Sequence, residues 1–318
     1  MHSTTRLQAG AERKLSRKNS SEKYLLFLLA LPFLLFSFFF SYVPLHGWIY
    51  AFFDYRPPRS LSDADFVGFK WFASIVSNPT QMKEMLRVVK NTFAISGLNV
   101  LTSVLPLIFA VFLVEIRSSR YKRLVQTLTT LPNFISWVLV YSVAFSLFSV
   151  NDGFLNNVLV GMGFLKEPIN FLAQDDHTWL GMCLWSQWKS LGWGAIMYLA
   201  AIAGIDRELY EAAEVDGAGR FRMMWSITVP SLLPTYFVLL MLSIANFLNN
   251  GMDQYYVFQN AINKTHIEVL DLYVYNTGLT GNNFSFATAV SMLKSIISIT
   301  LLFFANGLSK LLRGESIV

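Results

Sequence analysis

Charge is scarce in this 318-residue sequence. Charged residues make up 14% of it, hydrophobic residues make up 54%, and the mean hydropathy is +0.44. A soluble domain usually has about 25% charged residues, and a chain with so few could not cover its surface with groups that water solvates. The composition therefore excludes an ordinary soluble protein and indicates that lipid surrounds much of the chain.

Cysteine and histidine are also rare. The single cysteine, Cys183, excludes an internal disulfide and a cysteine-based zinc site, and the four histidines lie far apart in the sequence. The net charge of +5 does not indicate a nucleic-acid partner, because lysine and arginine lie at the ends of apolar runs. We therefore predict no metal site and no nucleic-acid binding.

Six apolar runs are long enough to cross the hydrocarbon layer of a bilayer, which is about 30 Å thick. They comprise residues 24–43, 91–114, 124–148, 179–203, 231–249 and 286–308. The sequence thus predicts an all-α, polytopic membrane protein with six transmembrane helices. Lysine and arginine near the span ends are more frequent on the side of the N-terminus, which predicts that both termini are cytoplasmic.

The predicted spans divide the chain into four parts. Residues 1–23 form a cytoplasmic tail, 24–90 contain the first span and an extracytoplasmic segment, 91–308 form the core domain, and 309–318 form a second tail. In the extracytoplasmic segment, Asn78-Pro79 is a favourable start for a helix. The apolar residues after it recur at helical spacing: Met82, Met85, Leu86 and Val89. We predict an amphipathic helix that lies at the outer interface.

Polar side chains recur at helical spacing inside several spans. They are costly in lipid and should face protein or a water-filled path, although small hydroxyl residues also serve helix packing. The second span carries Thr92, Ser96, Asn99 and Ser103. In the fourth and fifth spans, the residues predicted to line a substrate pathway are Gln187, Trp188, Trp193, Ser243, Asn246 and Asn250.

Two lysines, Lys189 and Lys294, also lie within predicted spans. Their long side chains can reach towards the outer surface. Alternatively, they line the same pathway and contact an anionic substrate or a buried acid. The sequence leaves both alternatives open.

The loop between the fourth and fifth spans, residues 205–230, has the most specific pattern. Asp206 can cap a first short helix, a glycine-containing turn follows, and a second short helix comes after it. Gly217 is expected where the chain turns with little room for a side chain. The residues of the pattern are Glu211, Ala212, Ala213, Gly217, Ile227, Val229 and Pro230. A simple amphipathic connector is the alternative interpretation.

This spacing resembles the Glu-Ala-Ala…Gly signature of permease subunits of binding-protein-dependent ABC importers, with Val229 in place of a leucine. Other stretches resemble the carbohydrate-importing branch, among them Leu-Pro-Asn-Phe-Ile-Ser at 131–136 and Ala-Asn-Gly-Leu-Ser-Lys at 305–310. Within that branch the sequence is most similar to the LplB-like permeases, a group that includes the first permease of alginate importers.

The resemblance implies a type I importer permease fold in the bacterial cytoplasmic membrane. In this family the loop forms a coupling helix that seats in a groove of a separate ATPase subunit. The implied ATPase-coupling residues are Glu211, Ala212, Ala213, Asp216, Gly217, Ala218 and Phe221. The implied partners are a second homologous permease, two ATPase subunits, and an extracytoplasmic solute-binding protein that delivers an oligosaccharide.

The chain itself is then expected to be a transport subunit and not an enzyme, with no cofactor of its own. It contains no Gly-Lys dipeptide and therefore no P-loop for ATP, so ATP and Mg²⁺ are expected on the partner ATPase. The oligosaccharide could be polysaccharide-derived or acidic.

Three alternatives remain open. The same importer class could carry a non-sugar solute, such as amino acids, peptides or phosphate. A secondary transporter would use carboxylates inside the membrane for ion coupling, and none lies well inside a predicted span. A membrane-embedded glycan enzyme would need paired carboxylates, and the adjacent acidic pair is Asp175-Asp176.

Overall fold

The computed structural model describes residues 24–172 and 177–313. The predicted N-terminal tail, the Asp175-Asp176 pair and the end of the C-terminal tail (314–318) lie outside the described residues. The described part of the chain is helical, with one isolated β-bridge between Phe53 and Phe66 and no strand. The predicted all-α class is therefore confirmed.

The helices are short where loops interrupt the bundle and long where they could cross a membrane. The α-helices are α1 (residues 24–42), α2 (Lys70–Ser77), α3 (Pro79–Leu101), α4 (Leu105–Val114), α5 (Ser119–Thr130), α6 (Trp137–Phe148), α7 (Phe154–Gly161), α8 (Thr178–Ala203), α9 (Arg207–Val215), α10 (Arg220–Met223), α11 (Val229–Ala245), α12 (Asp253–Phe258), α13 (Lys264–Ile267), α14 (Leu270–Tyr275) and α15 (Phe284–Arg313). The tighter 3₁₀ segments are Val43–Phe52, Leu61–Asp63, Thr102–Val104 and Leu131–Phe134, and wider π turns cover Met224–Thr228 and Asn276–Thr280.

The helix predicted at the outer interface is not a separate element. Asn78 caps it as expected, since its Oδ1 accepts hydrogen bonds from the backbone N–H groups of Thr80 (3.0 Å) and Gln81 (3.4 Å). The helix then continues without a break into the second span, because no proline or cap interrupts α3. Met82 and Leu86 are exposed. The side chains buried on α3 are Val88, Asn91, Thr92, Ile95 and Ser96.

The predicted third span is not one straight helix. The segments Ser119–Phe134 and Trp137–Phe148 meet at an angle of 110°. Pro132 lies in the 3₁₀ turn between them and has no N–H to continue the helical ladder. Ser136 then starts α6, with its Oγ accepting from the Leu139 N–H at 3.4 Å. A window of average hydropathy cannot distinguish this bend from a continuous span.

The predicted fifth span is also too long. The helix α11 begins at Val229 and ends at Ala245, and Asn246 occupies its C-cap. The polar residues after Ala245 therefore lie in a turn and do not continue the helix. The sixth helix, α15, covers the predicted span and extends to Arg313.

Among residues 24–172 and 177–313, four helices are long and apolar enough to cross a membrane, or five if the bent pair counts as one span. They are Tyr24–Phe52, Pro79–Val114, Arg220–Ala245 and Phe284–Gly307. The helix α8 has 26 residues, but its polar side chains, such as Gln187 and Lys189, lower its mean hydropathy. The number of six spans stays a prediction.

Apolar clusters join these helices. Two of the clusters lie near the predicted outer side, where the 3₁₀ segment after α1, α2, α3 and α15 meet, and where α6, α8 and α12 meet. A further cluster joins α4, α8 and α11 and includes Ala110, Tyr198, Met224 and Leu232. Because Met224 belongs to the π turn after α10, this cluster fixes the loop between α8 and α11 to the bundle.

The helices α5 and α8 approach each other very closely at Gly192. A Cβ atom placed on Gly192 would lie 2.3 Å from the carbonyl carbon of Thr129 and 2.4 Å from its oxygen. Real side chains do not tolerate such distances from backbone atoms. The crossing therefore requires glycine at this position.

We predict that Gly192→Ala destabilises the protein by about 1–3 kcal/mol, because the backbones of α5 and α8 must move apart. Gly181→Ala, on the same helix, is the control, since a Cβ there meets no atom within 4 Å. Thermal unfolding of both purified variants measures the difference. Equal stability of the two variants would show that the crossing tolerates a methyl group.

Candidate functional site

The loop between α8 and α11 folds as its sequence predicts, as two short helices joined by a glycine-containing turn. Asp206 Oδ1 accepts from the Glu208 N–H at 3.0 Å and caps α9. At the other end, the Gly217 N–H donates to the Glu214 carbonyl (3.0 Å) and the Ala218 N–H to the Ala213 carbonyl (2.9 Å). This pair of bonds is the Schellman arrangement that satisfies the last carbonyls of a helix.

Gly217 is required by its backbone conformation and not by crowding. Its φ angle is +76°, in the left-handed region that side chains disfavour. A Cβ placed there would meet no atom within 4 Å. The expectation of little room for a side chain was therefore wrong, although the position does favour glycine.

The face of this loop that points away from the helix bundle is exposed and partly apolar. Leu209, Val215 and Phe221 are 52%, 88% and 69% exposed. Glu211 is exposed as well and forms an ion pair with Arg207 at 3.1 Å. Among the other predicted coupling residues, Ala212, Asp216 and Gly217 are exposed, and Ala213 and Ala218 are half-buried.

The opposite face of α9 is tied to the bundle by Tyr210. Its hydroxyl lies 2.9 Å from Thr228 Oγ1, which is buried in the π turn before α11. The sequence analysis did not single out Tyr210. Its position one residue before Glu211 places it on the other side of the helix, but the partner Thr228 is visible only in the folded chain.

Several residues predicted for the pathway meet in a cavity of about 250 Å³ between α3, α8 and α11. Gln187, Trp193 and Ser243 all line it, as do Asn99 and Ser103 from the polar stripe of the second span. Asn99 Oδ1 and Ser103 Oγ are buried and make no hydrogen bond within the described residues. Such atoms need a partner that the chain does not supply, for example water or a ligand hydroxyl.

Trp188 and Lys189 lie on other faces of α8. The Trp188 ring packs edge-on against Trp185, with centroids 5.8 Å apart, and borders a different cavity beside Phe148. Lys189 Nζ donates to the Asn133 carbonyl at 2.7 Å and lies 5.5 Å from the ring centroid of Trp137. Lys189 therefore stabilises the break in the third span by satisfying a carbonyl there.

Asn246 and Asn250 are separated by the end of α11. Asn246 is exposed, and its Nδ2 donates to the Leu242 carbonyl at 3.0 Å. Asn250 Oδ1 lies 2.8 Å from Ser96 Oγ, whose single proton is shared with the Phe247 carbonyl, while Asn250 Nδ2 is buried without a partner in the described chain. The helical spacing predicted for Ser243, Asn246 and Asn250 therefore does not hold.

Lys294 contacts a partly buried acid and does not reach towards the outer surface. The partner is Asp271 in α14, a residue that the sequence analysis did not select because it lies in a predicted loop. Elsewhere, Arg87 bridges Glu84 and the buried Glu268 and holds α3 against the segment before α14. Within the described ranges no cluster of His, Cys, Asp or Glu could hold a metal ion.

Residues 102–313, which include the α9 loop and the part of the cavity lining that α8 and α11 supply, match the model of the family described as "binding-protein-dependent transport system inner membrane component". The chain belongs to this family. It is therefore a membrane subunit of a transport system and not an enzyme, and the predicted multi-pass location in an inner membrane is confirmed.

Individual relatives agree with this assignment. Protein LplB of Bacillus subtilis (strain 168) is 41% identical over 286 residues, which cover 90% of this chain and 88% of that protein. The polygalacturonan/rhamnogalacturonan transport system permease protein YteP of the same organism is 38% identical, with 96% of this chain and 93% of YteP covered.

The fold also matches a solved structure. A chain of the bacterial alginate ABC transporter, solved in complex with an alginate pentasaccharide-bound periplasmic protein, superposes with a TM-score of 0.81. The two are 30% identical, and the match covers 94% of this permease and 98% of that chain. The predicted importer permease fold is thereby confirmed.

For the break in the third span, we predict that Lys189→Met destabilises the permease by about 1–3 kcal/mol, since the Asn133 carbonyl loses its donor. Lys189→Arg keeps donor groups and should stay close to the wild type. The measurement is the midpoint of thermal unfolding in detergent. A Met variant as stable as the Arg variant would contradict the role of this hydrogen bond.

Proposed function

We propose that this permease carries an oligosaccharide across the membrane in an ATP-driven importer. The observation that carries the proposal is the exposed coupling loop of the permease family, together with relatives whose names state transport of polygalacturonan/rhamnogalacturonan and of alginate. Alginate is described as an acidic polysaccharide, and the galacturonate rings of polygalacturonan also carry carboxylates. We therefore extend the proposal to fragments of a polysaccharide, and to acidic ones in particular.

The complex needs partners that this chain does not contain. An extracytoplasmic solute-binding protein delivers the sugar, and a second homologous permease completes the pathway. Two ATPase subunits bind ATP and Mg²⁺ and hydrolyse the nucleotide. The permease contributes no cofactor and converts closure of the ATPases into movement of its helices.

We propose that the ATPase contacts the exposed face of α9, which points away from the bundle, and the start of α10. Its exposed apolar residues, Leu209, Val215 and Phe221, would lose contact with water in a groove of the partner, which favours association. The small residues Ala212 and Ala213 let the partner approach, and Glu211 contributes charge complementarity. Asp216, Gly217 and Ala218 form the turn that directs Phe221.

The substrate pathway is proposed to run through the cavity between α3, α8 and α11. Gln187 and Ser243 offer hydrogen-bonding groups to sugar hydroxyls, and Trp193 offers an aromatic face for a sugar ring. Asn99 and Ser103 add buried polar atoms that lack partners in the described chain. We place Asn246 and Asn250 at the outer end of this pathway, and we leave Trp188 and Lys189 outside it.

We predict that Glu211→Lys and Phe221→Ala each weaken capture of the ATPase at least about tenfold, the effect expected for central residues of an interface. Both side chains are exposed, so neither change should impair membrane insertion. The measurements are ATPase retention in a pull-down of the purified complex and ATP hydrolysis stimulated by the sugar-loaded binding protein.

Matched controls come from the segment between α7 and α8. Glu167→Lys and Phe164→Ala make the same changes at exposed positions there. These variants should keep both the ATPase and its stimulation. If the α9 variants behave like these controls, the loop is only a connector and the coupling proposal fails.

Both termini are proposed to be cytoplasmic. In a Cys183→Ser background, we predict that an impermeant thiol reagent labels a cysteine at Ser62 in intact cells and fails to label one at Ser118. Both positions are exposed, so accessibility alone does not decide the result. Labelling of Ser118 together with protection of Ser62 would reverse the orientation.

A further inference from the structure

A partly buried ion pair joins the sixth span to the segment that follows the fifth. Lys294 Nζ in α15 contacts Asp271 Oδ1 in α14, and the two side chains are only 12% and 21% exposed. The second carboxylate oxygen, Oδ2, accepts a hydrogen bond from the Gly251 N–H at 2.9 Å. Asp271 therefore uses one oxygen for the lysine and the other for the backbone after α11.

The backbone that Asp271 holds is the turn of residues 246–251, here called the asparagine turn. The Asn249 N–H donates to the Asn246 carbonyl at 2.8 Å, and Gly251 ends the turn with a φ of +70°. On its other side, Ser96 Oγ from α3 donates to the Phe247 carbonyl at 2.5 Å. The turn is thus fixed between α3 and the Asp271–Lys294 pair.

The ion pair is a poor device for stability alone. Removing two charges from water offsets much of their attraction even where the burial is partial, and well-packed apolar residues of similar size often replace a buried pair without loss. Its directional contacts, in contrast, fix one geometry. The carboxylate can meet the ammonium group and the Gly251 N–H together only when α14, α15 and the asparagine turn keep these positions.

The acid of the pair also borders open space. A cavity of about 760 Å³ is lined by Asn249, Gly251 and Asp271 together with aromatic residues such as Trp48 and Tyr275. This volume is in the range of sites for small ligands. Elsewhere the asparagine turn is packed, because Leu248 is buried in the apolar cluster with Trp71 and Phe286, and the Phe247 ring centroid lies 5.1 Å from that of Phe93. The hydrogen bond from Asp271 therefore fixes the Gly251 end of the turn, which borders the cavity.

We infer that Asp271 and Lys294 are positioning residues for transport: through Gly251 they hold the asparagine turn, and with it Asn246 and Asn250, in the geometry that recognises the sugar. This inference rests on the proposed function, because it assumes that the turn contacts the transported sugar. The lysine is occupied by Asp271 and acts on the turn through it.

The test uses the complete importer in proteoliposomes, with labelled galacturonate oligomers of three and five rings as probes. Two double variants remove the charges together, so neither leaves a buried ion. Asp271→Asn with Lys294→Gln keeps an acceptor for the Gly251 N–H. Asp271→Leu with Lys294→Met has similar volume and keeps no acceptor.

The first double variant, here called the amide pair (Asp271→Asn with Lys294→Gln), should retain uptake within about threefold of the wild type. The second, the apolar pair (Asp271→Leu with Lys294→Met), should lower uptake at least about tenfold, because the Gly251 N–H loses its directional contact. The apolar pair should also change the ratio of five-ring to three-ring uptake. A purely structural defect would lower the yield of assembled complex and leave this ratio unchanged.

Asn250→Ala supplies the decisive combination. If the pair acts through the asparagine turn, this variant changes the same ratio, and adding it to the apolar pair produces less than the product of the two separate effects. Independent, multiplicative effects would overturn the inference, as would wild-type uptake by the apolar pair. Failure of the proposed function would look different, because the wild-type complex would then import neither probe with ATP and the binding protein present.

Discussion

Polar groups that lie in lipid must find their partners within the protein, and this constraint shapes the described chain. At two interruptions among the described helices, a side chain from another helix donates to a carbonyl that the helical ladder leaves open. Lys189 does so for the Asn133 carbonyl at the break of the third span, and Ser96 does so for the Phe247 carbonyl beyond α11. These two helix breaks are therefore stabilised by specific hydrogen bonds within the bundle.

The same constraint separates groups that hold the fold from groups that are free to meet a ligand. Lys189 donates to a carbonyl and Lys294 pairs with Asp271, and neither lysine lines the cavity between α3, α8 and α11. Asn99 and Ser103 still lack one there. At the other end, Tyr210 and Thr228 fix α9 to the bundle and leave its apolar face exposed. A force applied to α9 can therefore reach α11 and the residues along it.

Local signals in the sequence were sufficient for the fold of the loop between α8 and α11, because a cap at Asp206 and a glycine at position 217 act within one or two turns of chain. They were insufficient where partners come from distant segments. The sequence places Asp271 in a predicted loop, and only the fold shows that Lys294 of α15 contacts it. The apolar run around Pro132 likewise does not reveal a bend of 110°. Amphipathic spacing after Asn78 also did not show that the predicted interfacial helix continues into the second span as one helix, Pro79–Leu101.

The central claim is that this permease couples ATP hydrolysis on a partner to delivery of a sugar. The most direct measurement is uptake of a labelled oligogalacturonide by proteoliposomes that contain the purified complex, with ATP inside and the binding protein outside. The account predicts accumulation above the external concentration only when both are present, together with faster ATP hydrolysis. Uptake that proceeds without ATP or without the binding protein would contradict it and indicate a self-sufficient transporter.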